Sequence, residues 1–355
     1  MKKILRDNKG SISALVVISV LLYSIVLTTA FMKASGKRRI QIQSQILAKE
    51  TYEKQLDNLD EIRDEINGGS SGYVKKNTEV TYPDGKVWIP EGFRISKDSA
   101  STVQGGVVIE DKDLNQFVWV PVATLADYKR TWYTGWSPFS DYSEALPEDE
   151  RASVDAYKGF YIGRYEAGDK ESTGTTKATF RTSSSDTSNS VTIKADQVPY
   201  SCVTRTKAVS LAEGFATKQG YKAKTKLVSS YAWDTTIAFI EKTVNNYGSS
   251  SSQGNYSNTS VTYKDITDES KPEKTKAENS PLLVATGQTT PVCNIYDMGG
   301  NVLEWTTESC SYKFSPYAMR GGDGSGKFAH DAAGYRINNP GDAYGNVGFR
   351  LTLFM

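Results

Sequence analysis

The chain has 355 residues, of which 38% are hydrophobic, and this is enough to bury a substantial core. Its 42 basic and 41 acidic residues nearly cancel, so no global field of one sign directs the protein to nucleic acid. The three cysteines, Cys202, Cys293 and Cys310, have no Cys-x-x-Cys spacing, which argues against a disulfide framework and a structural zinc site. A single disulfide bond would still fit.

The N-terminus carries a short basic leader, residues 1–10, followed by an apolar segment, residues 11–32. From Ser13 to Met32 the segment provides about 20 uncharged residues, the length at which a helix crosses a bilayer. We therefore predict a transmembrane helix here. A cleaved secretory signal is the competing interpretation, but its apolar region is normally shorter and ends in a small-residue cleavage site.

The leader also resembles that of a prepilin, which is cut after a glycine while the apolar helix is retained. Lys9-Gly10-Ser11 carries this resemblance, but Leu15 stands where an acidic residue is usual. Basic residues are equally frequent on both sides of the apolar segment, so the positive-inside rule does not decide its orientation. Because a short leader before an apolar helix is a common export arrangement, we expect a bacterial cell-surface protein, membrane-anchored or pilus-associated, with its C-terminal domain outside.

Residues 33–67 are interpreted as a helical stalk. Apolar residues recur there at spacings of mostly three and four, which is the stripe of an amphipathic helix. The stripe comprises Ile42, Ile46, Tyr52, Leu56, Leu59, Ile62 and Ile66. A stalk, a pilus-packing helix, half of a coiled coil and a solvated spacer all suit this pattern, because too few heptads are present to choose. Residues 68–74, rich in Gly and Ser, are predicted to form a flexible linker.

After the linker, residues 75–355 read as one α+β domain. Short apolar runs bounded by turn residues predict strands. These runs are Val87–Pro90, Gly106–Ile109, Gln116–Pro121 and Gly159–Glu166. Arg164 and Glu166, at the end of the last run, are interpreted as an internal ion pair rather than the remnant of a site. Residues 128–157 give no clear pattern.

Two helices are predicted in the middle of the domain. One covers Thr206–Thr217, and the other is indicated by a single apolar face. That face consists of Trp233, Ile237, Ile240 and Val244. Residues 247–280, rich in Ser, Asn, Thr and Lys, have almost no apolar periodicity and are predicted to form a long exposed loop.

The stretch Asn294–Trp305 has the composition of a loop around a hard cation. Asp297 and Glu304 offer carboxylate oxygens, and the glycines between them allow main-chain carbonyls to turn inward. Calcium is the ion that such an all-oxygen set prefers. The competing interpretation is an Asp/Gly turn that closes a β-hairpin without metal.

Three motifs in order, Asp297–Trp305, Arg320–Gly322 and Gly348–Leu351, resemble the signature of the formylglycine-generating enzyme, or sulfatase-modifying factor, family. The resemblance covers roughly Trp88–Phe354. It implies the C-type lectin-like fold of that family, and a structural calcium ion. In the family this ion is held by the positions that match Asp297, Gly300, Val302 and Glu304.

The same resemblance implies where a catalytic metal would bind. In the family's oxidases a cysteine pair shortly after the Arg-Gly-Gly element binds copper, but residues 320–331 contain no cysteine. A second branch holds iron through several histidines, and His330 is the only histidine here. We therefore expect no copper, no iron and no catalysis of these kinds. Paired carboxylates for glycoside hydrolysis stay open, because Asp and Glu are frequent throughout the chain.

Residues 323–346 are predicted to form a ligand-binding surface. Tyr offers contact area at low entropic cost, and Asn, Ser and Asp offer adaptable hydrogen bonds. The candidate contact residues are Asp323, Ser325, Lys327, Phe328, His330, Asp331, Tyr335, Asn338, Asn339, Asp342 and Tyr344. The layout also resembles the variable region of proteins diversified by retroelements. Ordinary loop residues of an idle domain are the competing interpretation.

These features together predict a surface-displayed, adhesin-like or receptor-like binding protein. Its expected partners are an extracellular protein or glycan, the membrane, and pilus subunits if the leader is that of a minor pilin. One alternative is a metal-dependent oxidoreductase or other modifying enzyme of the same family with an unrecognised site. A structural minor pilin whose head caps a fibre is the other.

Overall fold

The computed structural model describes residues 72–133, 141–169, 189–265, 273–325 and 332–355. All of these lie in the compact unit Asp64–Met355. The predicted leader, transmembrane helix and stalk, residues 1–67, lie outside the described residues, as do Lys327, Phe328, His330 and Asp331. Within the described ranges, every helix is too short or too polar to span a bilayer.

Most of the domain is built from short strands. In chain order they are β1 Thr78–Tyr82, β2 Gly85–Ile89, β3 Arg94–Ile95, β4 Val108–Glu110, β5 Gln116–Pro121, β6 Tyr142–Ser143, β7 Gly159–Gly163, β8 Gly168–Asp169 and β9 Val191–Thr192. They continue as β10 Val198–Pro199, β11 Lys224–Leu227, β12 Val261–Tyr263, β13 Lys274–Lys276, β14 Leu303–Cys310, β15 Tyr317–Arg320, β16 Ile337–Asn339, β17 Val347–Phe349 and β18 Leu351–Phe354. The helices are α1 Glu148–Tyr157, α2 Arg205–Gln219 and α3 Ser230–Glu241, with short 3-10 helices at Leu125–Asp127 and Tyr247–Ser249.

The larger sheet has the strand order β11-β18-β7-β5-β4-β3, and its neighbours are antiparallel. It is covered on both faces. Along β5, Phe117 and Trp119 belong to one hydrophobic core, whereas Val118 and Val120 belong to another. Because successive side chains of a strand point to opposite faces, a sheet buried on both sides reads as a continuous apolar run, which is the pattern of β5.

The second sheet brings the three sequence motifs together. Its order is β16-β15-β14-β17, and β6 pairs with the far end of β14. Glu304 on β14 lies opposite Arg320 on β15 in antiparallel register and opposite Gly348 on β17 in parallel register. The motifs are therefore neighbours across one sheet, although they are separated along the chain.

The two predicted helices are confirmed, with local signals at their ends. The side chain of Thr204 accepts a hydrogen bond from the amide of Lys207 at the start of α2, and Gly220 ends this helix in the left-handed conformation. Ser229 caps α3 in the same way, through the amide of Ala232. Helix α1 was not predicted by any pattern. It begins after a proline and carries three acidic residues in its first turn, where they favour the helix dipole.

Two sequence predictions about this domain are wrong. Residues 247–280 do not form one exposed loop, because their described part contains β12, β13 and buried side chains, among them Tyr256 and Lys276. Arg164 and Glu166 do not pair with each other. Arg164 forms an ion pair with Asp98 at 2.9 Å, and Glu166 points to the double-glycine bend. Residues two positions apart on an extended chain point to the same side, as the ion pair would require. The chain is no longer an extended strand after β7, so the two side chains point in different directions.

Candidate functional site

The double-glycine bend before β14 is held by main-chain contacts from two other segments. Gly300 has a φ of +82°, and a Cβ atom there would lie 2.6 Å from the carbonyl carbon and oxygen of Asn255, so only glycine fits. The amide of Asn301 donates to the carbonyl of Asn255 at 2.8 Å, and the amide of Gly300 donates to that of Gly321 at 2.7 Å. These contacts fix the shape of the bend.

Glu304 follows the bend and pairs with Arg350. The Nε of Arg350 donates to both carboxylate oxygens at 3.1 Å, and its Nη2 donates to Oε1 at 2.7 Å. The remaining N–H groups reach the carbonyls of Gly163, Tyr296 and Asp297 at 3.0, 2.9 and 3.0 Å. Both charged side chains are buried, where such forked, charge-assisted hydrogen bonds are strong.

Two further buried carboxylates lie beside this pair. Glu166 accepts hydrogen bonds from the Asn301 side chain at 2.7 Å and from the amide of Val302 at 3.2 Å. Asp297 Oδ1 accepts one from the Thr289 hydroxyl at 2.7 Å. Asp297 Oδ2 is buried and has no hydrogen-bond partner among the described residues. We call Glu166, Asp297, Glu304 and Arg350 the carboxylate cluster.

The carboxylate cluster is short of positive charge. Burial raises the pKa of Glu166 well above its usual range, and the charges of Asp297 and Glu304 raise it further. Burial also raises the pKa of Asp297 to about 6 and that of Glu304 to about 7, although Arg350 opposes both shifts. Since one guanidinium faces three carboxylates, the cluster favours an additional cation or protons.

The calcium site implied by the family resemblance, Asp297, Gly300, Val302 and Glu304, coincides with this cluster. Its donors are oxygens, as calcium prefers, and the unsatisfied Oδ2 of Asp297 is an acceptor that a cation would satisfy. However, Glu304 directs both oxygens to Arg350. No group of three or more His, Cys, Asp or Glu in the described ranges is arranged to hold a metal ion. The fit therefore rests on Asp297 and on the charge of the cluster.

A second buried network, which we call the guanidinium cluster, consists of Arg130, Asp234, Glu308, Arg320 and Arg336. Asp234 on α3 accepts from Arg320 at 2.5 Å and from Arg336 at 2.6 Å. Glu308 on β14 accepts from Arg336 at 2.9 Å and from Arg130 at 2.5 Å. Nε and Nη1 of Arg320 are buried without a hydrogen-bond partner in the part of the chain that is described. This cluster joins α3 to β14, to β15 and to the residue that precedes β16.

Where the structure describes them, the predicted ligand residues are buried, half-buried or exposed. Asp323 and Asn339 are buried. Asp323 accepts hydrogen bonds from the amide of Ser325 at 2.6 Å and from the side chain of Asn346 at 2.7 Å, so it shapes the loop. Ser325, Tyr335 and Asn338 are half-buried, and Asp342 and Tyr344 are exposed.

Sequence reasoning missed several residues of both sites. Glu166 belongs to the carboxylate cluster, although the sequence predicts that it pairs with Arg164. Its only sequence signal is an acidic residue three positions after a buried strand. Trp132 is 39% exposed and its ring lies 5.9 Å from the Arg336 guanidinium, a cation–π contact beside the guanidinium cluster.

Residues 65–353 match the family model of the sulfatase-modifying factor enzyme 1-like domain. The chain belongs to this family. A comparison with curated proteins finds no match. Among solved structures, the chain is similar to PvdO from Pseudomonas aeruginosa, with 18% identity, 70% of this chain and 98% of that chain covered, and a TM-score of 0.40.

Two other solved structures resemble the chain at a similar level. Variable protein 1 of Treponema denticola has 13% identity and a TM-score of 0.36, with 68% of this chain and 96% of that chain covered. CarF has 16% identity and a TM-score of 0.36, with 68% and 98% covered.

The cysteines of this family member lie apart from the Arg-Gly-Gly element along the chain. Cys202, Cys293 and Cys310 are buried, and none of them forms a disulfide bond within the described residues. The sulfur of Cys293 lies 3.3 Å from the Thr243 hydroxyl, and burial raises the pKa of its thiol. A thiol that is buried and protonated is a poor nucleophile and a poor metal ligand.

Proposed function

We propose that this member of the sulfatase-modifying factor family is a non-catalytic binding protein displayed on the bacterial surface. One observation carries the proposal: the residues that frame the Arg-Gly-Gly element are in place, whereas residues 320–331 contain no cysteine to hold copper. Arg320 and Arg336 are tied to Asp234 as a rigid support. A fold of this family that lacks the copper-binding cysteines can still use its surface to bind a ligand.

The proposed contact surface is formed by solvent-accessible residues of the segment that contains Arg336, on a C-type lectin-like frame. Asn338, Asp342 and Tyr344 offer amide, carboxylate and phenol groups to solvent, and Trp132 adds an exposed ring above Arg336. Asp323 and Asn339 are buried, and we assign them to the support of this segment rather than to its contacts. A rigid base with exposed aromatic and small polar residues is the arrangement by which paratopes bind an extracellular protein or glycan.

A structural calcium ion is part of the proposal. Asp297 would offer its unsatisfied oxygen, and Gly300, Val302 and Glu304 would complete the oxygen set, so that the ion neutralises the carboxylate cluster. Calcium should then raise the melting temperature of the full-length protein, and Asp297→Ala should remove that gain. Thr289→Val, which deletes the hydroxyl donor to Asp297 but no carboxylate, should keep most of it. A wild-type melting curve unmoved by calcium would contradict the site.

We also propose that residues 11–32 anchor the protein in the membrane or in a pilus, with the C-terminal domain outside. The length and apolarity of that segment support this placement. Diversification of the contact surface by a retroelement is proposed on the layout of residues 323–346 alone.

Copper loading of the full-length protein tests the non-catalytic assignment. After incubation with Cu(I) and dialysis, we expect far less than one copper per chain. Retention of one copper per chain would overturn the assignment and favour an oxidoreductase. Cys293→Ser and Cys310→Ser would then show which thiol holds the metal.

Sequencing this locus across a bacterial population tests the recognition role. We expect substitutions to concentrate at the half-buried Asn338 and the exposed Asp342 and Tyr344, with the buried Asp323 and Arg336 constant. An invariant segment, or variation spread equally over buried and exposed positions, would contradict a diversified binding surface.

A further inference from the structure

Lys276 on β13 is buried, with only 4% of its surface exposed. Its ammonium donates hydrogen bonds to the main-chain carbonyls of Tyr256, Ser257 and Thr259, at Nζ–O distances of 2.5, 3.3 and 2.6 Å. An ammonium has three protons, so these three acceptors can satisfy it completely. Lys274, two residues earlier, pairs instead with Asp265 at 2.5 Å.

The surroundings of Lys276 differ from those of an ordinary buried ion pair. No carboxylate of the described residues lies within ion-pair distance of its ammonium. Burial lowers the pKa of Lys276, and only the charge of Glu278 opposes this shift. Since an ammonium is strongly hydrated in water, the carbonyl oxygens must replace that hydration for the charge to remain buried.

A ring of main-chain carbonyls is also how proteins bind dissolved metal cations. Calcium takes carbonyl oxygens at about 2.3–2.6 Å, and two of the three oxygens lie 2.5 and 2.6 Å from the Lys276 nitrogen. Two of the three carbonyls therefore lie at the distance that a metal cation requires. The third, that of Ser257, lies farther away at 3.3 Å, and the ammonium occupies the position between them.

The carbonyl ring adjoins the bend before β14. Tyr256 directly follows Asn255, whose carbonyl accepts the amide of Asn301 at 2.8 Å and whose side chain donates to the Asn301 side-chain oxygen at 3.0 Å. Gly300 packs against the main chain of Asn255. A cation that orders residues 256–259 thus also positions the residue that holds the bend.

We propose that the carbonyls of Tyr256, Ser257 and Thr259 form a cation-binding site, and that the Lys276 ammonium is its tethered resident cation. The lysine holds this turn in the shape that supports the Gly300 bend, and it does so without a dissolved ion. The site is separate from the calcium site proposed at Asp297.

Chemical rescue of Lys276→Ala in the full-length protein tests the proposal. We expect this variant to melt lower than the wild type by roughly 5 °C, because three buried carbonyls lose their donor. Methylammonium, K⁺ or Na⁺ at matched ionic strength should restore at least half of the loss. These ions decide the test, because calcium also acts on the proposed Asp297 site. Lys274→Ala is the matched control, and the same salts should not restore it.

Lys276→Met provides a second test, because it keeps an unbranched side chain that is only one atom shorter and removes the charge and its donors. The proposal predicts that it also melts lower than the wild type, and that no cation rescues it because the methionine fills the ring. A Lys276→Met protein as stable as the wild type would overturn the proposal. An Ala variant that loses stability but is not restored by any of the three ions would also overturn it. If the Ala variant does not fold, the comparison of Met with wild type decides.

Discussion

Strand β14 contributes one glutamate to each buried charge cluster, Glu304 to the carboxylate cluster and Glu308 to the guanidinium cluster. The first has three carboxylates for one guanidinium, and its acids have raised pKa values. The second has two carboxylates shared by three guanidinium groups, of which the Arg130 side chain is 14% exposed. The carboxylate cluster therefore needs positive charge from outside its own side chains, whereas the guanidinium cluster has guanidinium groups in excess, and only Arg130 among them reaches solvent.

The largest expected effect comes from removing the one cation of the carboxylate cluster. Arg350→Met should lower the free energy of unfolding by about 3–5 kcal/mol, because it leaves Glu304 buried without its partner. Urea denaturation of the full-length protein, followed by tryptophan fluorescence, measures this loss. Arg151→Met is the control, since Arg151 pairs with Glu148 on an exposed helix surface and its loss should leave the midpoint unchanged.

The guanidinium cluster should tolerate a comparable change better. Asp234→Asn keeps the shape of the side chain but removes the charge shared by Arg320 and Arg336, and we expect a loss of roughly 2–3 kcal/mol. The loss is smaller because Glu308 still pairs with Arg336. The same urea titration measures it. A loss larger than that of Arg350→Met would show that the comparison between the clusters is wrong.

Parts of the fold were predictable from sequence because their burial leaves a local pattern. Strand β5 is covered on both faces and reads as an apolar run, and α2 and α3 have capping residues and an apolar face. The same reasoning failed for residues 247–280, which it predicted to be an exposed loop. Tyr256 is held by local turns, and Lys276 is a charged residue satisfied by carbonyls, so neither produces apolar periodicity.

The candidate sites divide in the same way. Asp297 and Glu304 could be found because they are close in sequence to each other and to the glycines of the bend. The bend requires glycine, since the Asn255 main chain leaves no room for a Cβ atom at Gly300. Glu166 could not, because its place depends on contacts with Asn301 and Val302 far along the chain. Trp132 lies in a stretch without periodicity, and its role depends on the distant Arg336.

The pH dependence of stability also tests the charge balance of the carboxylate cluster. Burial raises the pKa of Asp297 to about 6 and that of Glu304 to about 7, so the folded state holds protons more tightly than the unfolded state does. This contribution to stability is complete below the usual carboxyl pKa and is lost as pH rises through the folded values. In calcium-free buffer we therefore expect the free energy of unfolding to fall by a few kcal/mol between about pH 4 and pH 7.

Asp297→Asn should make this pH dependence shallower, because it removes one of the groups that titrate. Calcium should reduce the fall near pH 7, since metal binding requires the ionised carboxylates. Stability that rises steadily over the same range in calcium-free buffer would show that the carboxylate cluster is already neutralised by its own residues.

The smallest effect is expected at the surface of the guanidinium cluster. Trp132→Ala removes a half-exposed ring that contacts Arg336, so it should lower the free energy of unfolding by no more than about 1 kcal/mol. It should lower binding in a glycan-array or extracellular-protein screen far more than it lowers stability. Leu114→Ala is the control, because Leu114 is also an exposed apolar residue but lies in the turn between β4 and β5. If Trp132→Ala instead destabilises the protein as strongly as Asp234→Asn, the ring closes the guanidinium cluster against water and is part of its buried support rather than of a contact surface.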